Sequence, residues 1–188
     1  MTINLDENQI QEVKETYEKL KNIYENKSQM EILKKERENT IKEGIASICD
    51  LRDKEGNVDI KKVKMPLLTA LLNEIFNEKE NPKETEYSIM QDYRTALEGG
   101  EIEAELITSY LHCEEEIKAT KDDIKSVFAE VSLLDNETCK ALEELAKEYY
   151  KEIKQDKMIE AGFVKEKSTK DDSEYNELKE NLEVILES

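Results

Sequence analysis

Tryptophan is absent from this chain, and with three phenylalanines, two prolines, five glycines and one histidine it has little of what most folds use to turn or to stack. So few helix breakers and aromatics exclude a large β core and leave long helices as the natural conformation. No run approaches the ~20 apolar residues that a membrane span needs. Residues 1 to 10 lack a basic stretch followed by an apolar one, so no leader is read there and a cytoplasmic location is expected. The three cysteines, Cys49, Cys113 and Cys139, stand at unrelated spacings and are odd in number. That suits a reducing compartment and small buried thiols better than a disulfide framework.

What the chain has in quantity is negative charge. Its 46 acidic residues against 28 basic ones leave −18. Such a surface gains no long-range attraction to nucleic acid unless its cations are clustered. It could instead dock on a basic protein partner.

Ile10, Val13, Tyr17, Leu20 and Tyr24 recur at spacings of three and four, and the same register returns at Ile41, Ile45 and Ile48. Lys27, Glu31, Lys34 and Glu38 interrupt it, so the region reads as two amphipathic stretches, or one long helix with a wet middle around Asn26-Lys27-Ser28. Asp6 with Gln9 makes a capping pair for its start. Lys54-Glu55-Gly56-Asn57 should end it. Pro66 opens a second helix carrying Leu67, Leu68, Leu71, Leu72, Ile75 and Phe76. Thr85 caps a third, with Tyr87, Met90, Tyr93 and Leu97, which stops at Gly99-Gly100.

From Glu101 the plan repeats. Leu106, Tyr110, Cys113, Ile117, Thr120, Ile124, Val127 and Val131 follow coiled-coil spacing, and Asp135-Asn136 turn and cap a helix with Leu142, Leu145, Tyr149, Tyr150 and Ile153. A polar loop over 165 to 172 precedes a short helix that Ser173 caps. The expected fold is all-α, two copies of a long helix–turn–helix–short helix unit with coiled-coil arms, divided into residues 1–99 and 100–188. Gly44-Ile45-Ala46-Ser47-Ile48 aligns with Asp123-Ile124-Lys125-Ser126-Val127, and Thr85-Glu86-Tyr87 with Ser173-Glu174-Tyr175. The coiled-coil arms make a homo-oligomer the expected state.

In outline both units resemble a small family of helical double-stranded-DNA-binding proteins. Its members are the late-transcription protein of T-even phages and the bacterial chromosome-structuring protein GapR. Ile41-Lys42, then Gly56-Asn57-Val58-Asp59 and Leu67-Leu68-Thr69-Ala70-Leu71, follow the family's long helix, short turn and apolar helix. Glu84-Thr85-Glu86 and Tyr93-Arg94-Thr95-Ala96-Leu97 are similar to the phage protein's last helix. Asp122-Asp123-Ile124-Lys125-Ser126-Val127-Phe128-Ala129-Glu130 resembles the GapR segment before its turn. The resemblance spans roughly Leu33 to Leu97 and Glu115 to Leu186 and implies oligomers that clamp duplex DNA with helix cations. Two departures stand out. The helix from Pro66 to Lys79 carries its one lysine at its end, with Lys61, Lys62 and Lys64 just ahead of it, and Leu133-Leu134-Asp135-Asn136 replaces the second glycine turn.

Lys140, Lys147, Lys151 and Lys154, spaced by seven, four and three, fall in one narrow helical arc opposite Leu142, Leu145, Tyr149 and Ile153. That pattern offers ammonium groups to phosphates, though a solvated face interleaved with Glu143, Glu144, Glu148 and Glu152 has the same spacing. With no arginine placed to read guanine edges, binding there would tolerate any sequence. Asp53 to Asp59 fails as an EF-hand. With Gly56 in sixth place the loop's ends are Leu51 and Lys62, where calcium needs carboxylates. His112 and Cys113 are neighbours that a helix points about 100° apart, so they make no nucleophile–base pair, and no C-x-x-C suggests zinc. No catalytic group, cofactor or metal is expected. The reading is a non-enzymatic accessory protein engaging double-stranded DNA through Lys140, Lys147, Lys151 and Lys154, with Lys61, Lys62 and Lys64 as a second set. The alternative is an acidic adaptor, or a DNA mimic in which Glu12, Glu15, Glu18, Glu25, Glu101, Glu103, Glu105, Glu114, Glu115 and Glu116 stand in for phosphates.

Overall fold

A computed structural model describes residues 4–64, 66–71, 87–100, 102–163 and 176–188. Within them the protein is mostly helical. α1 is Glu7–Ile48, α2 Tyr87–Glu98, α3 Ala104–Ala129, α4 Asn136–Glu160 and α5 Asn176–Glu187, with a 3-10 turn at Ile60–Lys62 and helix over 66–71. The expected positions Leu72, Ile75 and Phe76, the caps Thr85 and Ser173, and the loop 165–172 lie outside the described residues. None of the described helices is long and apolar enough to cross a membrane.

Local chemistry accounts for the ends. Asp6 Oδ1 accepts the Gln9 amide at 2.8 Å while Gln9 Oε1 accepts the Asp6 amide at 3.0 Å, a reciprocal capping box. α1 then runs unbroken through the polar stretch and stops earlier than the Lys54–Asn57 signal suggests. Asp50 takes a left-handed φ of 53°, the Leu51 amide reaches back to the Ala46 carbonyl at 2.8 Å, and the Asp50 amide reaches Ser47. This is a Schellman stop with aspartate where glycine is usual. The Gly56 turn lies beyond it, in a loop closed by an Arg52–Val58 bridge and by Asp53 Oδ1, which accepts the amides of Glu55 and Asn57 at 2.9 Å. These amides hold the Asp53 carboxyl below its ordinary range.

The contacts group into two compact units, Leu33–His112, and Met1–Ile32 with Cys113–Ser188. In Leu33–His112, Ile41, Ile45 and Ala46 of α1 bury against Leu67, Leu68 and Leu71, Tyr93 and Leu97 of α2, and Ile107 and Tyr110 of α3. Each such aliphatic side chain contributes roughly 1.5–3 kcal/mol by leaving water. Gly44 permits this packing on its side of α1, because a Cβ there would stand 3.0 Å from Ile102 Cγ1.

In the other unit, Val13, Leu20 and Tyr24 of α1 pack with Ala141, Leu142, Leu145 and Ala146 of α4 and Leu182 of α5, flanked by Ile124, Val127 and Phe128 of α3. The apolar seam expected to serve as a coiled-coil arm is thus filled by the chain itself. The Leu133-Leu134 turn that stands in place of glycine is clamped by α1. Glu12 accepts the amides of Ser132 and Leu133 at 3.0 and 2.8 Å, and Gln9 Nε2 donates to the Leu133 carbonyl. Asp135 caps α4 by accepting the Thr138 amide at 2.7 Å, and that bond lowers its carboxyl pKa.

The middle of α1 is polar and partly solvated, with Asn26 and Gln29 exposed and Lys27 half-buried. Ser28 is fully buried, its hydroxyl donating to the Glu25 carbonyl and accepting Lys157 Nζ at 3.0 Å. The expected wet middle thus holds at Asn26, which is exposed, while Ser28 is dry and takes its partner from α4.

Candidate nucleic-acid interface

α4 buries Thr138, Ala141, Leu142, Leu145 and Ala146 on one side. Lys140, Lys147 and Lys151 are exposed on the other. Lys147 lies 2.8 Å from Glu143 one turn back, an exposed pair of the kind worth about 0.3–0.5 kcal/mol, which a phosphate can replace. Lys154 belongs to the same arc but has a structural role. Its ammonium sits 2.9 Å from Glu31, a carboxylate only 17% exposed, and 5.5 Å from the centre of the Tyr150 ring.

Around it the two helices are joined by acid–phenol contacts. Tyr150 donates to Glu31 Oε2 at 2.5 Å, Tyr149 donates to Glu25, and the Tyr24 and Tyr150 rings stand 5.2 Å apart. Burial first and the Glu31 bond second push the Tyr150 phenol far above its ordinary range. The Glu25 bond lifts Tyr149 to about 12, and burial does the same for Tyr24.

Lys61, Lys62 and Lys64 are exposed in the other unit, just ahead of helix 66–71. Their backbone is pinned: Asp59 Oδ1 accepts the Lys61 amide at 3.0 Å, and Tyr93 accepts the Lys64 amide at 2.9 Å through its hydroxyl. Lys62 donates its ammonium to the Arg52 carbonyl.

A concave groove was not foreseen from sequence. α1 contributes Tyr24 and Lys27, α3 contributes Ile117, Thr120, Lys121, Ile124, Lys125 and Phe128, and α4 contributes Glu143 and Lys147. They enclose about 620 Å3 with an apolar floor and four lysines to one glutamate. The signal available in the sequence was the neighbourhood of Lys121 and Lys125. Their partners four residues away are Ile117, Ala129 and each other, so neither has a carboxylate at that spacing. A smaller cleft of about 360 Å3 is lined by Asn22, Asn26 and Gln29 with Glu25, Tyr149, Ile153 and Lys157.

Among the described residues no group of three or more His, Cys, Asp or Glu is placed to hold a metal ion. Cys113 is buried, Cys49 and Cys139 are half-buried with thiols raised chiefly by burial, and His112 is exposed. No protein-family model, curated protein or solved structure matches the chain, so any reading of its function rests on this geometry and chemistry.

Proposed function

We propose that this is a non-enzymatic accessory protein that binds double-stranded DNA without sequence preference, of the transcription or DNA-organising kind that the phage and GapR-like resemblance implies. The observation that carries the reading is the exposed arc of Lys140, Lys147 and Lys151 on the face of α4 opposite its buried side. A rigid helix holding three ammonium groups within one arc can follow a phosphate backbone, and each contact releases condensed counterions. Lys61, Lys62 and Lys64 form a second cationic patch on a pinned backbone. With no arginine in the α4 arc, the contacts position without specifying.

Three or four phosphate contacts make affinity fall about 100-fold between 50 and 200 mM salt. Fluorescence anisotropy with a duplex at low and then physiological salt should show this fall. Lys147→Glu with Lys151→Glu should weaken binding at least tenfold at low salt and flatten the salt slope. Unchanged duplex affinity in that variant would remove the mechanism.

A second reading, an acidic protein-binding adaptor or DNA mimic, is favoured by the −18 net charge. It expects no duplex binding even at low salt, and competition with DNA for a basic DNA-binding protein. Loss of that competition on neutralising Glu12, Glu15 and Glu18 would support it; competition left intact would sink it.

A further inference from the structure

We propose that the groove between α1, α3 and α4 receives the outer face of α5 from a second copy of this chain, an inference that does not rest on DNA binding although Lys147 lines the groove. Lys121 and Lys125 lie one turn apart on α3, exposed at the groove's edge, and among the described residues neither has an ion-pair partner. Two like charges at that spacing disfavour their own helix slightly. In a chain with 18 surplus negative charges, two unneutralised lysines above an apolar floor call for an acidic occupant with an apolar centre.

The chain displays such an element. α5 buries Leu182 and Lys179 toward its own core, while Glu180, Glu183, Val184 and Glu187 fall within one outward arc and are exposed. Val184, at 69%, has the highest exposure of the described large hydrophobic residues that face solvent. An exposed valine ringed by glutamates complements Ile124 and Phe128 ringed by lysines. Seating it removes both apolar surfaces from water and pairs charges that have no partner on their own side.

Groove and helix are different surfaces, so the contact is head-to-tail and can propagate beyond a dimer. One helix face buries less than a standard interface, so half-association is expected on the order of 100 μM. Repulsion between two acidic chains is screened beyond ~8 Å at physiological salt, whereas direct contacts are screened less, so association should be weaker at low salt than at 0.15 M.

The test is sedimentation velocity of the full chain over a concentration series at about 0.15 M salt. The unaltered protein should shift toward larger species as concentration rises. Lys121→Glu with Lys125→Glu, and separately Glu180→Lys with Glu187→Lys, should each stay monomeric with an unchanged helical circular-dichroism signal. Mixing the two variants should restore association, because each keeps the surface the other has lost. A monomeric unaltered protein, association that survives in either variant, or a mixture that stays monomeric would each overturn the proposal.

Discussion

Tyr149 and Tyr150 are adjacent on α4, and each gives its hydroxyl to a different carboxylate of α1. Both phenols are raised in the folded protein, so stability from this pair is complete below pH 10, the ordinary phenol value. It is lost as pH climbs, because the unfolded chain ionises first while the folded one must hold its protons. Urea midpoints should therefore hold up to about pH 10, the ordinary phenol pKa, and fall steeply from there toward about 12, where Tyr149 ionises in the folded protein. The double Phe variant should show a shallower fall. Equal slopes would mean these phenols are not held as described. The tyrosines were legible from sequence as positions on a helix with an apolar face, but not their partners. Glu25 and Glu31 read as solvated acids, because nothing local to either marks which helix will cross it.

At the scale of elements, α5 is held to α4 by a buried lysine as well as by Leu182. Lys179 is 5% exposed, its ammonium is bonded to Glu148 and lies 4.0 Å from Glu144. Removing one member of such a set leaves poorly solvated charge behind, although the partly exposed glutamates can regain some water. Lys179→Ala is expected to cost about 2 kcal/mol, and Lys179→Met, which keeps the aliphatic packing, roughly half of that. Chemical denaturation followed at 222 nm decides it, and an alanine variant as stable as the parent would rule out a structural role for the ion set. The helix content and the Asp6 and Asp135 caps follow from short-range signals, and both caps form. The end of α1 lies before the conspicuous Gly56 signal. The stop is made by Asp50 in a conformation that aspartate tolerates better than most side chains.

For the whole molecule the governing quantity is the −18 charge. Exposed carboxylates repel one another in the compact state more than in the expanded one, and salt relieves the repulsion. Raising sodium chloride from about 10 to about 500 mM should therefore raise Tm by a few degrees. A fall in Tm over that range would show that attractive pairs such as Lys154–Glu31 outweigh the net repulsion. The same experiment bears on binding, since the salt that stabilises the fold weakens any phosphate contact.

By itself the sequence determined the helical class, the acidic surface and the cap chemistry, because each depends on composition or on residues within one turn of each other. Tertiary structure decided which charges are available. Lys140 and Lys154 share one helical arc, yet Lys140 is exposed while Lys154 is half-buried and paired. Glu31 meets Lys154 from a helix distant in sequence, and Ser28 is dry because Lys157 reaches it. Periodicity gives a side chain's angle about its own helix axis. Whether that angle points at water, a carboxylate or a ring depends on the helix packed beside it, so the groove beneath Lys121 and Lys125 emerged only once three helices were in place.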